Sequence, residues 1–451
     1  MKRVVVWNWT DDPSFIPVQK LADAGEIEVV AWFSRRGKHQ THDTKKFYLK
    51  PDLMLKGLAE QGVSRDALLD IPPADLAMEQ KQFQDIYSRV NFSKGQDYFD
   101  HLNLFHLYYQ YFTAMLKGGK VDAVIYFTSP HAGADFMLYC VAKRLGIETI
   151  VTLQSHVPNR FYCVRDLKDF GTFTTSPDIG EPIELTIPRK FEKKHFYMEK
   201  IPNRRGWLIS RFIRDIWWAT VGGSQPLTWP GVFKKQGGRM RYTKLYKEHA
   251  VTEVDFTRKF VYFPLQLQPE LTTTILGREF SDQLHALEQL AMILPDDWHI
   301  YAKENPKQGF QQRDRFFYER FKRIPNCHYI DTAVDTYELL EKSRFVASIT
   351  GTACWESVSG GKPALIFGNS WFKSLPGIVS WRPGLTVEDI TGTEIDHAEL
   401  EAAYSRTMSK TVSGIVDVAY KSIHPDYSVK KNGEHLTSFL RKVLNLSEDA
   451  E

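Results

Sequence analysis

Apolar runs a few residues long, separated by polar turns and by stretches with helical spacing, recur along both halves of the chain. Residues 3–8 are the first run, residues 14–24 space their apolar positions as a helix closed by Gly25, and residues 27–33 are a second run. Continuous rather than alternating runs suit strands buried on both faces of a parallel sheet, and strand–helix–strand repetition is the pattern of a Rossmann-like sheet. Residues 40–95 are mixed and polar and read as loops and short helices. The pattern then resumes with an aromatic-rich helix at 99–117, a strand at 123–127, a helix at 136–145 and a strand at 148–153. A second series predicts strands at 259–265, 299–303, 328–330, 345–349 and 364–367. Its helices fall at 282–294, 318–323, 336–343 and 353–359, with tail helices between 396 and 444. The expected class is α/β with two Rossmann-like domains, residues 1–225 and 226–451, the tail helices packing back on the first. Gly222-Gly-Ser-Gln-Pro226 and Pro230-Gly231 make a plausible hinge.

Composition narrows this little. A chain of 451 residues is too long for one typical core. Its 43% hydrophobic and 25% charged residues are ordinary for a globular protein, and a net charge of +3 does not point to nucleic acid. Aromatic content is high at 13%, a composition suited to stacking flat ligands such as sugars. The four cysteines (Cys140, Cys163, Cys327, Cys354) are scattered with no CxxC pair, which argues against a zinc site or a disulfide framework and fits a reducing compartment such as the cytoplasm. The opening apolar run is short and soon meets Asn8, Asp11 and Asp12, unlike a leader peptide. No window of about 18 apolar residues occurs.

One segment departs in charge. Residues 204–247 contain ten cations (Arg204, Arg205, Arg211, Arg214, Lys234, Lys235, Arg239, Arg241, Lys244 and Lys247) against the single acid Asp215. Ile209, Phe212, Ile213, Ile216 and Trp217 recur at helical spacing inside it, beside Trp207 and Trp218. This is either an amphipathic helix covering a sheet or a basic, tryptophan-bearing surface that rests on anionic lipid headgroups.

The candidate chemistry lies at strand ends. Residues 345–356 and 361–368 read as strand, Thr350-Gly351-Thr352 turn, short helix, glycine cap and strand. Such a turn points amide N–H groups and a positive dipole end outward, which suits a phosphate; the alternative is an ordinary αβ corner. Polar loops begin near 266, 304 and 350, so three are expected to converge on one edge of the second sheet. In the first half, His131 and Asp135 follow the strand at 123–127 at helical spacing, at the end of a parallel strand where open sheets bind ligands. The turn at 8–14 lacks GxGxxG, which argues against a dinucleotide enzyme. No DxD triplet occurs, so no metal clamp is expected.

Three motifs carry a resemblance. Residues 262–270 (Tyr-Phe-Pro-Leu-Gln-Leu-Gln-Pro-Glu), then 303–306 (Lys-Glu-Asn-Pro), then 348–352 (Ser-Ile-Thr-Gly-Thr) with 361–363 (Gly-Lys-Pro) resemble the ordered motifs of the bacterial capsule polysaccharide biosynthesis family. That family includes retaining β-Kdo transferases of capsule and O-antigen assembly. The resemblance spans roughly residues 255–380 and implies a GT-B-like arrangement, with an acceptor domain first and a nucleotide-sugar-binding domain second. It implies a metal-independent glycosyltransferase that needs no cofactor beyond its nucleotide-sugar substrate, a CMP-linked donor being one candidate, and a glycan or lipid-linked glycan as acceptor.

Residue by residue, the loop at Pro264, Leu265, Gln266 and Gln268 flanks the reaction centre. Glu270 stands where the Kdo transferases carry an aspartate implicated as nucleophile. Lys303 and Asn305 fall where the family often has Lys-x-His-Pro, the asparagine lacking the charge that the histidine brings to the donor phosphate. Ser348, Thr350, Gly351 and Thr352 would hold the nucleotide phosphate. Transfer through an oxocarbenium-like transition state needs such groups, together with a residue for the acceptor proton. His131 is the candidate for that proton, and Asp135, Thr272 and Thr273 are candidates for contacting acceptor or sugar. Two other readings remain open, a nucleotide-sugar 2-epimerase and a non-catalytic glycan-binding or scaffold protein of a capsule assembly complex. An inner-membrane surface is a candidate partner and nucleic acid is not.

Overall fold

A computed structural model describes residues 1–7, 15–33, 72–91, 97–187, 204–221, 229–417, 420–421, 424 and 426–446. The turn at 8–14, most of the polar stretch at 40–95 and the hinge at 222–226 lie outside the described residues. The described strands are, in chain order, β1 (Lys2–Trp7), β2 (Ile27–Phe33), β3 (Ala123–Tyr126), β4 (Glu148–Gln154), β5 (Arg160–Val164), β6 (Lys259–Pro264), β7 (Trp298–Lys303), β8 (Cys327–Ile330), β9 (Val346–Ser348), β10 (Ala364–Ile366), β11 (Ile378–Ser380) and β12 (Thr411–Ser413). They form two six-stranded sheets, ordered β12-β5-β4-β3-β1-β2 and β11-β10-β9-β6-β7-β8. The α/β class with two Rossmann-like domains is borne out. Compactness divides the chain into one unit of Met1–Gln84, Asp100–Glu184 and Ser405–Glu451, and another of Asp85–Phe99 and Leu185–Tyr404.

In the first unit β2, β1, β3 and β4 run parallel, while β5 is antiparallel to β4 and β12 antiparallel to β5. Val4, Val5 and Val6 are fully buried, as a strand covered on both faces requires. Helix Val429–Leu444 packs beside helix Phe15–Asp23, with Leu436, Phe439, Leu440 and Val443 joining Val18 and Leu21 in one apolar cluster. Arg441 also pairs with Glu26 at 2.7 Å, and the hydrogen bond it donates holds that carboxyl below the usual carboxylate range.

The second sheet is parallel throughout. Phe260, Val261, Tyr262 and Phe263 of β6 are buried in its centre. The chain adds β7 and β8 on one side of β6, then returns to add β9, β10 and β11 on the other. In chain order this is 3-2-1-4-5-6, the nucleotide-binding order of doubly wound folds, whose ligands sit outside the carboxyl ends where the order reverses. That reversal lies between β6 and β9.

Helices Arg204–Val221 and Trp229–His249 are joined by a 2.6 Å ion pair between Asp215 and Arg239, both side chains nearly fully buried. Tyr242 and Tyr246 of the second helix enter the core of the second sheet. The first helix departs from the sheet-covering reading, because Ile209, Ile213 and Trp217 are exposed. Among the described residues, no helix is long and apolar enough to cross a membrane.

Candidate functional site

The loops after β6, β7 and β9 leave one edge of the second sheet, since those strands are parallel neighbours. Across the β6–β9 reversal, Gln266 joins the first loop to the third. Its Oε1 accepts from the Thr350 amide at 2.9 Å, and its Nε2 donates to Thr350 Oγ1 at 3.1 Å. Thr350 Oγ1 in turn donates to the Thr272 carbonyl at 2.9 Å. Ser348 Oγ lies 3.4 Å from both Gln266 Oε1 and the Pro264 carbonyl. Gln266 is itself held at its backbone by Gln283, which accepts from the amide at 2.7 Å and donates to the carbonyl at 2.8 Å. Gly351 packs closely here: a Cβ would sit 2.6 Å from Ser348 Oγ and displace that hydroxyl. Thr352 is exposed and begins the short helix Ala353–Ser359 without a capping bond from its side chain.

The loop after β6 ends in a single π-helical turn, Leu271–Ile275, a local geometry frequent at functional sites. Glu270 precedes it in an extended conformation and is half-buried, and its carbonyl accepts from the Thr274 amide at 2.7 Å. Thr273 is fully buried and its hydroxyl donates to the Leu267 carbonyl at 2.9 Å, so it serves the loop's own backbone.

Lys303 closes β7 nearly buried, its Nζ donating to Thr336 Oγ1 at 2.5 Å. Burial lowers its pKa to about 8, opposed by Asp335 and Asp331. The next residue, Glu304, forms a fully buried ion pair with Arg313 at 2.6 Å. Tyr329 donates to the same carboxylate at 2.6 Å and the Asn305 amide at 2.8 Å. Arg313 also donates to Gln268 Oε1 at 2.9 Å, and its guanidinium lies over the Phe317 ring, 4.2 Å from the centroid. Gln268 is thus committed, with its Nε2 donating to the Ser281 carbonyl and its backbone bracketed by Gln308. Asn305 is half-buried and accepts from the Lys307 amide at 2.9 Å.

Sequence reasoning missed this network and Gln283. Arg313 stands in a Gln-Gln-Arg-Asp run that looks like solvated loop, and Glu304 and Gln283 act over separations with no local periodicity. The one available signal was a charged residue directly after an apolar parallel strand.

In the first unit, His131 and Asp135 follow β3 at the β1–β3 reversal of that sheet. Asp135 is fully buried and accepts from the amides of His131 (2.7 Å), Ala132 (2.8 Å) and Phe136 (2.7 Å). Burial raises its pKa, opposed by His131 and by those amide bonds. It fastens the turn at the head of helix Ala134–Arg144. His131 Nδ1 lies 2.6 Å from the Ser129 carbonyl, which can only accept, so that nitrogen carries a proton and Nε2 is the basic one. Among the described residues, no group of three or more His, Cys, Asp or Glu side chains could hold a metal ion.

No curated protein matches the sequence. Among solved structures, the β-Kdo 2,7 transferase of Thermosulfurimonas dismutans KpsC is similar over 79% of this chain and 95% of its own, at 12% identity and a TM-score of 0.33. The β-Kdo 2,4 transferase of the same KpsC is similar over 63% and 79%, at 13% identity and a TM-score of 0.30. S. aureus MnaA, solved with UDP, is similar over 100% and 98%, at 11% identity and a TM-score of 0.24. Residues 232–410 match the model of the family described as capsule polysaccharide biosynthesis protein, the family that the motifs at 262–270, 303–306, 348–352 and 361–363 resemble.

Proposed function

We propose that the chain is a nucleotide-sugar-dependent glycosyltransferase of bacterial surface-polysaccharide biosynthesis, capsule or O-antigen. It moves a sugar, with Kdo or a related ulosonic acid as the leading candidate, from a nucleotide donor to a glycan or lipid-linked glycan. The observation that carries this reading is the Gln266–Thr350 bridge, set at the order reversal of a 3-2-1-4-5-6 sheet inside the family-matched segment.

The roles follow from where each group stands. Thr350 donates its hydroxyl hydrogen to Thr272 and shapes the corner, whereas Thr352 stands exposed at the edge of the sheet and is assigned to the donor phosphate. Lys303 supplies a buried positive charge one strand away, where low local dielectric strengthens its pull on a phosphate. Asn305 contributes an amide donor. Glu270 is the carboxylate for the anomeric centre, and His131, through Nε2, the base for an acceptor hydroxyl. These groups manage leaving-group charge without a metal ion, and the donor is a substrate rather than a resident cofactor.

The test is a panel of CMP-, UDP- and GDP-sugars incubated with purified protein in the presence of EDTA. Slow hydrolysis of one donor, accelerated by a glycan acceptor, is the expected result. Epimer exchange, or tight binding of a sugar nucleotide without turnover, would overturn it in favour of an epimerase or a scaffold protein.

A further inference from the structure

Ile209, Ile213 and Trp217 lie on helix Arg204–Val221 with exposures of 57%, 61% and 53%. At 3.6 residues per turn they fall within about 80° of one another around the axis. Trp229, Phe233 and Met240 are exposed on the partner helix Trp229–His249, within about 40° of arc. That arc lies away from the side carrying Val232, Arg239, Tyr242 and Tyr246, which are buried. Six large apolar side chains on two packed helices thus face outward among the described residues, where an ordinary surface would show a few scattered ones.

Charge tells what covers them. The one acid between residues 204 and 247, Asp215, is withdrawn into the buried bridge to Arg239, and Glu248 is the next. The pair of helices presents exposed Arg214, Lys234, Arg241, Lys244 and Lys247. By helical spacing Lys244 and Lys247 flank the stripe of Trp229, Phe233 and Met240. Burial lowers the pKa of Lys235, opposed by Asp215, and Arg239, Arg214 and Arg211 lower it further, so cations cluster around it.

We propose that these two helices form a docking surface for an anionic lipid bilayer. Apolar side chains with tryptophan enter the headgroup boundary, and the cations meet lipid phosphates, the combination that seats interfacial helices. The inference does not depend on which sugar is moved. A protein inactive on every donor yet bound to anionic vesicles would leave it standing.

The experiment is co-sedimentation of the full chain with phosphatidylcholine vesicles, alone or mixed with phosphatidylglycerol, across a range of salt. Pelleting only with the anionic vesicles, lost as salt rises, is expected. Ile213→Ser with Trp217→Ser, and separately Lys244→Glu with Lys247→Glu, should each lower partitioning about tenfold or more at unchanged circular dichroism. Should the serine variant misfold, the charge-reversed variant and the salt dependence of the native chain decide the matter. Equal pelleting with neutral vesicles, none with either, or burial of this face in a dimer that ignores vesicles would overturn the proposal.

Discussion

Replacing Glu270 by glutamine is expected to slow turnover about a hundredfold or more while leaving donor affinity nearly unchanged, the signature of an interaction made mainly in the transition state. The substitution keeps size and hydrogen-bonding capacity and removes only the charge. Glu270 stands between a buried, fully committed Gln268 and a π-helical turn whose Thr272 carbonyl is tied to Thr350. The loop on either side of it is therefore anchored by the loops after β7 and β9, a rigid setting of the kind a catalytic carboxylate needs. Steady-state kinetics on the donor selected by the panel provide the check. A variant with near-native turnover would remove Glu270 from the chemistry and pass the search to His131.

The largest effect on stability is expected from Arg313→Met. Glu304 and Arg313 are both fully buried, and removing one partner leaves the other charge without compensation, at a cost of about 3–5 kcal/mol. Gln268 Oε1 loses the donor it has in Arg313 at the same time. The double variant Glu304→Met/Arg313→Met should recover part of the loss, because no isolated charge remains, but not all of it, because Tyr329 and the Asn305 amide then lose their acceptor. Urea unfolding of the four members of this cycle measures the coupling. A loss below about 1 kcal/mol in the single variant would show the pair to be dispensable.

The parallel sheets were legible because each strand is a continuous apolar run, and burial on both faces demands such runs. The expected strands at 27–33, 259–265 and 299–303 match β2, β6 and β7 to within a residue. Strands β5 and β12 were not legible. β5 opens on Arg160, and the three residues of β12 pair with Tyr162, Phe161 and Arg160 from far along the chain, with Arg160 Nε also donating to Thr411 Oγ1 across 251 positions. No local pattern announces such a pairing. Convergence of the 266, 304 and 350 loops was readable from the order of strands and polar loops, but the division of labour within them was not. Thr350 and Gln268 looked like ligand-facing side chains, and their hydrogen bonds show them holding loops in place. The basic helices carried their amphipathic period openly. Which way the apolar stripe faced depended on packing around the Asp215–Arg239 bridge, a contact between separate helices.

The most direct test of the central claim is a crystal structure of the protein with the nucleotide that the donor panel selects. The donor phosphate is expected at the carboxyl edge of the second sheet, within hydrogen-bond reach of Thr352 and near Lys303, with the anomeric carbon toward Glu270. A nucleotide bound at the edge of the first sheet, or anywhere away from the β6–β9 reversal, would contradict it.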